Sequence, residues 1–239
     1  MKIIPLFLIL LVSTCLRGGE LRIADAIPGG DAPIRQLALR QSLAGKQQIQ
    51  YRHATVSSAF AELAKGNVEI VVAELLAQPK EFKGKIQIYA VDSLVFYVNI
   101  ANTLEEAKTP QLRDIFTLKQ PNWQNYSFLS ADIQRYGVKP GKPGAERMAH
   151  FLIRGSQLAQ NTRFFNSTAE LLAMTGANPN AIGFGVYLSS TPAQVKLLSV
   201  DGVTPNLKSV SEATYPLAVK RAVFTAANFS EETASFLAE

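Results

Sequence analysis

The segment RYGVKPGKPGAERMAHFL, from Arg135 to Leu152, carries residue types suited to holding an anion. It places two prolines, three glycines and four basic side chains around one acidic side chain, and then becomes helix-like. A helix start offers free backbone N–H groups and a partial positive charge, so it can bind an anion. The segment therefore predicts an anion-binding loop, and the alternative is a solvated surface turn.

The chain offers little for catalysis or for binding a metal ion. Its two histidines are His53, at the end of a strand pattern, and His150, which lies between Ala149 and Phe151 in a helical pattern. Catalysis needs a nucleophile, a base and an orienting group within reach of one another, and no such set is evident. No H-x-x-x-H spacing occurs either. We therefore expect two structural histidines in a protein that is not an enzyme and that uses no cofactor or metal.

Composition favours a globular protein with small anionic partners. The chain has 239 residues, 47% of them hydrophobic, which is enough for one large domain or two small ones. The formal charge is +5 and the isoelectric point is near 9.3. Because the basic residues are scattered without a Lys/Arg run, the sequence does not predict a nucleic-acid surface.

The N-terminus predicts export. Lys2 precedes the apolar run IIPLFLILLVST, which is too short to span a bilayer and is typical of a signal peptide over residues 1–15. Ser13 and Cys15 suit cleavage after Cys15. Alternatively, Cys15 ends a lipoprotein signal and carries a lipid, which would be the only membrane attachment. Both alternatives predict a periplasmic or otherwise extracytoplasmic protein without an internal disulfide, since Cys15 is the only cysteine.

Strand-like and helix-like segments alternate along the rest of the chain, which predicts βαβ units and a largely parallel sheet. The first helix pattern is PIRQLALRQSLAG, and the second is SSAFAELAKG with Ser57 or Ser58 as its N-cap. Thr109-Pro110 and Ser167-Thr168 open two further helices. The predicted strands are LRIADA, QIQYRHA, VEIVVAE, KIQIYAV, SLVFYVN, NYSFLSADI, AIGFGVYL, VKLLSV and LAVKRAVF.

Three stretches, in order, resemble the phosphate-binding proteins of bacterial ABC transporters. The first, AVDSLVFYVNIANTLEEAKTPQLRDIFTLKQPNW, is similar to the family's A-x-D-x-L-x-x-x-V-N, L-x-x-I-F and N-W elements. NPNAIGFGVY, from Asn178, resembles N-x-x-A-I-G-Y, and Tyr215-Pro216-Leu217 resembles Y-P-L. The resemblance covers roughly residues 20 to 225 and identifies the chain as a divergent member of the family.

The resemblance implies an α/β periplasmic-binding-protein fold of type II. Two lobes, residues 20–93 plus 206–239 and residues 94–205, would be joined by two crossover strands and would enclose a ligand cleft. In this family helix N-termini, hydroxyl groups, one arginine and one aspartate hold phosphate. The positions of this chain that take the corresponding places, and so become its candidate ligand residues, are Gly29, Gly30, Ser57, Ser58, Glu69, Arg135, Lys142, Gly144 and Ala145.

The chain departs from the family's pattern at most of these positions. Gly144-Ala145-Glu146 stands where the family has Ser-Gly-Thr, so two hydroxyl donors are replaced and a carboxylate is added. Arg135 lies five residues upstream of the family's arginine, and Lys142 or Arg147 is an alternative to it. Asp31 near a helix start would repel an anion. Glu69, one methylene longer than the family's aspartate, can also be a surface residue.

Two functions remain open from the sequence. The first is a solute-binding protein that closes its lobes on phosphate or a related small oxyanion, with a membrane permease complex as partner. The second is a scaffold or sensor that keeps the fold, has lost phosphate binding and contacts an envelope protein.

Overall fold

A computed structural model of the chain describes residues 20–27, 30–126, 130–142 and 144–239. The predicted signal segment 1–15, with Cys15 as its possible lipid site, lies outside the described residues, and so does Gly29.

The described residues form twelve strands, numbered in chain order. Their bounds are β1 Leu21–Asp25, β2 Ile49–His53, β3 Ile70–Glu74, β4 Lys85–Ser93, β5 Val95–Asn99, β6 Glu106–Ala107, β7 Gln134–Val138, β8 Arg163–Phe165, β9 Ala181–Gly185, β10 Val195–Leu197, β11 Ser199–Val200 and β12 Ala218–Thr225.

The same part of the chain forms seven α-helices and one π-helical segment, Met148–Ile153. The α-helices are α1 Ala32–Leu43, α2 Val56–Ala64, α3 Thr109–Phe116, α4 Ala145–Arg147, α5 Thr168–Gly176, α6 Leu207–Ser211 and α7 Glu231–Leu237.

The strands build two five-stranded mixed sheets, one in each lobe. The first sheet has the order β2-β1-β3-β12-β4, with β12 antiparallel to both of its neighbours. The second has the order β10-β5-β9-β7-β8, in which β7 runs parallel to β8 and to β9. Helices pack on these sheets because each sheet must bury its apolar faces. The predicted fold class, a two-lobed α/β periplasmic-binding-protein fold of type II, is confirmed.

The chain crosses between the lobes twice, and the two crossings lie side by side. The first runs from β4 to β5 through Leu94, whose N–H donates to the carbonyl of Leu217 on the second crossing at 2.9 Å. Val210, Tyr215 and Leu217, which precede β12, pack in the core of the second sheet. This part of the segment 206–239, expected in the first lobe, therefore contacts the second.

Two local predictions are wrong. Helix α2 begins at Val56, and Thr55 is its N-cap, whose hydroxyl accepts from the N–H of Ser58; the cap was predicted at Ser57 or Ser58. The described residues of NYSFLSADI form no named strand, and β7 begins just after them at Gln134. A loop was expected from Arg135 onward because of the prolines, glycines and basic residues in this segment, but its first residues, Arg135 to Val138, belong to β7.

Candidate functional site

A pocket of about 300 Å³ lies between the two lobes. On the side of the first lobe it is formed at the carboxyl ends of parallel strands, where Asp25, His53 and Glu74 are the last residues of β1, β2 and β3. In open α/β sheets, ligands bind at this edge. The pocket is therefore the candidate functional site.

The register of β12 brings two more charged residues to the same edge. Arg221 of β12 pairs with Glu74 of β3, and Val219 of β12 pairs with Asp92 of β4. The pairing of β12 with β4 shifts between Arg221 and Ala222, and such bulges redirect side chains. As a result Asp92 and Arg221 both line the pocket.

Four charged side chains form what we call the cleft floor: Asp31, Asp92, Arg147 and Arg221. Arg147, from the second lobe, is 2% exposed; its Nε lies 2.5 Å from Asp92 Oδ2 and its Nη1 donates to Glu74 of β3. Arg221 Nη1 lies 2.8 Å from Asp31 Oδ2, and its Nη2 donates to Asp92. The floor thus connects the two lobes through ion pairs within the chain.

The carboxylates of Asp25 and Asp31 occupy the start of α1. Asp31 Oδ1 accepts from the N–H of Ile34 at 2.9 Å, so Asp31 caps the helix. Asp25 accepts from the N–H groups of Ile27 at 2.9 Å and of Asp31 at 2.6 Å. These are the kind of backbone donors that an external anion uses at a helix N-terminus.

Two half-buried phenols complete this network. The Tyr51 hydroxyl donates to Asp25, and the Tyr89 hydroxyl donates to Asp31. Burial raises the pKa of both phenols, and the neighbouring carboxylates raise these pKa values further. Both tyrosines therefore stay protonated and act as neutral donors to the carboxylates.

The chain's own carboxylates take the place that an anion would need. Asp31, Glu74 and Asp92 bring three negative charges against the two guanidinium groups of the floor, and Asp25 adds a fourth carboxylate nearby, 3.5 Å from His53 Nδ1. A second anion would meet this surplus of negative charge and would have to displace existing ion pairs. The floor is therefore poorly suited to free phosphate.

We expect the stability of the folded protein to fall in acid because of Asp92. Burial alone raises the pKa of Asp92, but the charges of Arg147 and Arg221 outweigh burial and hold that pKa below its ordinary value. The contribution of Asp92 is therefore complete above the unfolded-state value, about 3.9. It is lost as the pH falls through the lower folded-state value.

Urea unfolding between pH ~6 and ~3 measures this loss, with Asp92→Asn as the control. The variant should be less stable at pH ~6 and should lose less of its free energy of unfolding on acidification. Equal losses in both proteins would show that Asp92 is not the group responsible.

Two further cations form what we call the cleft mouth: Arg35 and Lys142. Arg35 is an exposed residue of α1 in the first lobe, and Lys142 is an exposed residue of the loop before α4 in the second. Both line the pocket, and among the described residues neither has an ion-pair partner. Glu146 also lines the pocket, but its Oε1 accepts from the N–H of Gly141 at 3.1 Å, within its own loop.

Four of the residues suggested by the sequence line the pocket: Gly30, Lys142, Gly144 and Arg147, the last of them suggested as an alternative to the family's arginine. Gly144 has φ +96°, and a Cβ there would lie 3.1 Å from the backbone of Gly185. The glycine therefore allows the loop to pass close to the end of β9. Ala145 follows it but packs on the core of the second lobe.

The structure places the other suggested residues away from the pocket lining. Ser57 and Ser58 lie in the first turn of α2, where Ser58 Oγ donates to Glu62. Glu69 forms an ion pair of 2.5 Å with Arg22 at the amino ends of β1 and β3, the opposite edge of the sheet.

Arg135 serves the core of the second lobe. It is 1% exposed, and its guanidinium donates to the carbonyls of Ile115 at 2.5 Å, Ile133 at 2.8 Å and Gln120 at 2.7 Å. This satisfies its donors inside the lobe, and burial lowers its pKa.

Sequence reasoning missed Asp25, Glu74 and Arg221 as site residues, although a signal existed for each. Asp25 and Glu74 are carboxylates that end strongly apolar strands, where parallel strands place ligand contacts. Arg221 is a charge inside the apolar strand LAVKRAVF. A buried charge must find a partner, so each of these residues predicts an ion pair.

No metal centre or membrane-spanning helix is found within the described ranges. There, no group of three or more His, Cys, Asp or Glu side chains is arranged to hold a metal ion. None of the helices in the same ranges has the length and apolar character needed to cross a bilayer.

Comparison with known proteins supports distant homology to phosphate-binding proteins. No protein-family model matches the chain. It is 24% identical over 175 residues to the phosphate-binding protein PstS of Bacillus subtilis (strain 168), a match that covers 71% of this chain and 57% of that protein. The chain is thus a distant homologue of PstS, as the resemblance predicted, and the match spans little more than half of the relative's length.

Solved structures agree on the fold. A possible phosphate binding protein from Planctomyces limnophilus DSM 3776 superposes with a TM-score of 0.77 at 15% identity, covering 92% of this chain and 86% of that one. An ABC-type phosphate transport receptor from Vibrio cholerae gives 0.65 at 18% identity, covering 91% and 92%. These relatives are named as binding proteins or receptors, not as enzymes.

Proposed function

We propose that the chain is an extracytoplasmic solute-binding protein that closes its lobes on a small anion at the cleft mouth, and that the cleft floor no longer takes phosphate. The distant homology and the two-lobed fold support the binding role. The observation that carries the proposal is the pair Arg35 and Lys142, which line one pocket from opposite lobes without ion-pair partners among the described residues. An anion held by both would join the lobes.

Because Arg35 and Lys142 are exposed, we expect anion binding at the cleft mouth to be weak. Exposed ion pairs contribute about 0.2–1 kcal/mol each because water and salt screen them. Two such pairs give far less affinity than a buried cradle of hydroxyls and N–H groups. A transport role would in addition require a membrane permease as partner.

We expect Arg35→Ala and Lys142→Ala each to weaken the binding of inorganic phosphate or sulfate about 1.5–5-fold at low ionic strength. Isothermal titration calorimetry measures these affinities. Arg40→Ala, also exposed on α1, and Lys139→Ala, in the same loop as Lys142, are matched controls that do not line the pocket. If Arg35→Ala and Lys142→Ala bind the anion as tightly as the two control variants do, the cleft mouth is not the anion site.

A second function is favoured by one observation, the contact of Arg147 with Glu74 and Asp92 across the lobes. Because these ion pairs hold the lobes together without a ligand, a scaffold or sensor that contacts an envelope protein is consistent with them. If the wild-type protein, with Arg35 and Lys142 in place, binds no anion in the same titrations, the result would support this second function.

A further inference from the structure

A second pocket of about 300 Å³, which we call the α5 pocket, lies on the second lobe. Val138, at the carboxyl end of β7, lines it together with Val186, which follows β9, and the first residues of α5. Lys142 lines both this pocket and the cleft, so the α5 pocket adjoins the cleft mouth.

The polar groups of the α5 pocket are unused donors. Thr168 is 7% exposed and lines the pocket, and its hydroxyl has no hydrogen-bond partner among the described residues. The N–H groups of Thr168 and Ala169 lie in the first turn of α5, where the helix provides no carbonyl acceptor. Lys142 adds an ammonium group without an ion-pair partner in the described ranges.

The nearest acidic group of the helix, the carboxylate of Glu170, already accepts two hydrogen bonds from Asn166. Glu170 Oε2 accepts from the backbone N–H of Asn166 at 2.9 Å and from its side chain at 3.3 Å. Ser167 Oγ accepts from the N–H of Glu170 and so caps the helix. The donors of Thr168 and Ala169 thus remain available to a ligand.

The rest of the lining is mainly apolar. Val138, Val186 and Leu188 surround the donor end of the pocket. An inorganic oxyanion would leave these side chains without a partner, whereas a short hydrocarbon chain would gain from contact with them. Pockets of this size are at the lower limit for small-molecule sites, so the occupant must be short.

We propose that the α5 pocket binds a small organic carboxylate with a short apolar chain. Its carboxylate would accept hydrogen bonds from the Thr168 hydroxyl and the N–H groups of Thr168 and Ala169, with Lys142 as counter-ion. Its chain would lie against Val138, Val186 and Leu188. The site goes beyond the proposed anion site at the cleft mouth, because it requires no contact with Arg35.

The test uses butyrate as the probe and the complete purified protein. Nuclear magnetic resonance should show saturable shifts of the Thr168 and Ala169 amide signals with butyrate and none with n-butanol, which lacks the charge. Thr168→Val should weaken butyrate binding about 10-fold or more, since one hydrogen bond to a charged group is lost. Thr168→Ser, which keeps the hydroxyl, should retain most of the affinity.

Two controls separate this site from the cleft mouth. Arg35→Ala should weaken phosphate binding and leave butyrate binding unchanged. Thr168→Val should weaken butyrate binding and leave phosphate binding unchanged. Absence of saturable butyrate shifts at Thr168 and Ala169, or equal butyrate affinity in Thr168→Val and the wild type, would overturn the proposal. Butyrate binding that depends on Arg35 and not on Thr168 would assign the ligand to the mouth and would also overturn it.

Discussion

Replacing Arg147 by alanine should lower the free energy of unfolding by about 3–5 kcal/mol, because it leaves the largely buried carboxylate of Glu74 without its partner and that of Asp92 with Arg221 alone. Glu74 and Asp92 have side chains only 14% and 12% exposed, and both contact Arg147. Folded domains are stable by about 5–15 kcal/mol in total. The expected loss is therefore a large share of the total free energy of unfolding.

Urea denaturation measures the effect, with Arg35→Ala as the matched control. Arg35 is exposed and unpaired among the described residues, so its removal should change stability by no more than about 0.5 kcal/mol. Arg147→Lys should fall between the two variants, because lysine keeps the charge but cannot span two carboxylates with a planar fork.

A double-mutant cycle separates ion pairing from packing. Arg147→Ala should cost about 0.5–3 kcal/mol less in a Glu74→Gln/Asp92→Asn background than in the wild type. Equal costs in both backgrounds would show that Arg147 stabilises the protein by packing alone, and that the ion pairs across the cleft are not important for its stability.

The fold could be predicted from the sequence because its signals are local and repeated. Apolar strands, helix caps and the N-x-x-A-I-G and Y-P-L elements each specify one element or crossing, and their order specifies the topology. At Arg135 the local sequence was misleading. The prolines, glycines and basic residues of the segment suggested a loop from Arg135 onward, whereas Arg135 lies inside β7, where three backbone carbonyls accept from its guanidinium.

The site was harder to predict because its contacts join distant parts of the chain. Arg221 and Asp31 are 190 residues apart, and Arg147 and Glu74 are 73 apart. The pairing of these residues depends on strand register and on the approach of the two lobes, which spacing along the chain does not reveal. The replacement of hydroxyl residues by Gly144 and Glu146 predicts weak phosphate binding, which stays a prediction, and it gave no sign that internal carboxylates lie at the cleft floor.

Removing two of the internal carboxylates should restore anion binding at the cleft floor. In Glu74→Gln/Asp92→Asn, Arg147 keeps its position and size but loses its two counter-charges. Arg147 Nη2 and Arg221 Nε are already buried without hydrogen-bond partners among the described residues, so additional donors await an acceptor. Each hydrogen bond to a charged group contributes about 1.5–3 kcal/mol.

We therefore expect the double variant to bind phosphate at least about 10-fold more tightly than the wild type. Its free energy of unfolding, lowered by the substitutions, should rise with phosphate concentration because only the folded state binds. Glu62→Gln/Glu69→Gln is the matched control: it removes the same number of charges from ion pairs of the first lobe with Arg52 and Arg22, away from the pocket.

The most direct test of the account is isothermal titration of phosphate into the wild type, the Glu74→Gln/Asp92→Asn variant and the Glu62→Gln/Glu69→Gln control. The wild type and the control should bind with dissociation constants of hundreds of micromolar or weaker, on the order expected when two hydroxyl donors are lost. The Glu74→Gln/Asp92→Asn variant should bind at least about 10-fold more tightly. Micromolar phosphate binding by the wild type, weakened by the Glu74→Gln/Asp92→Asn change, would contradict this expectation, since the carboxylates of Glu74 and Asp92 would then support phosphate binding instead of replacing the anion.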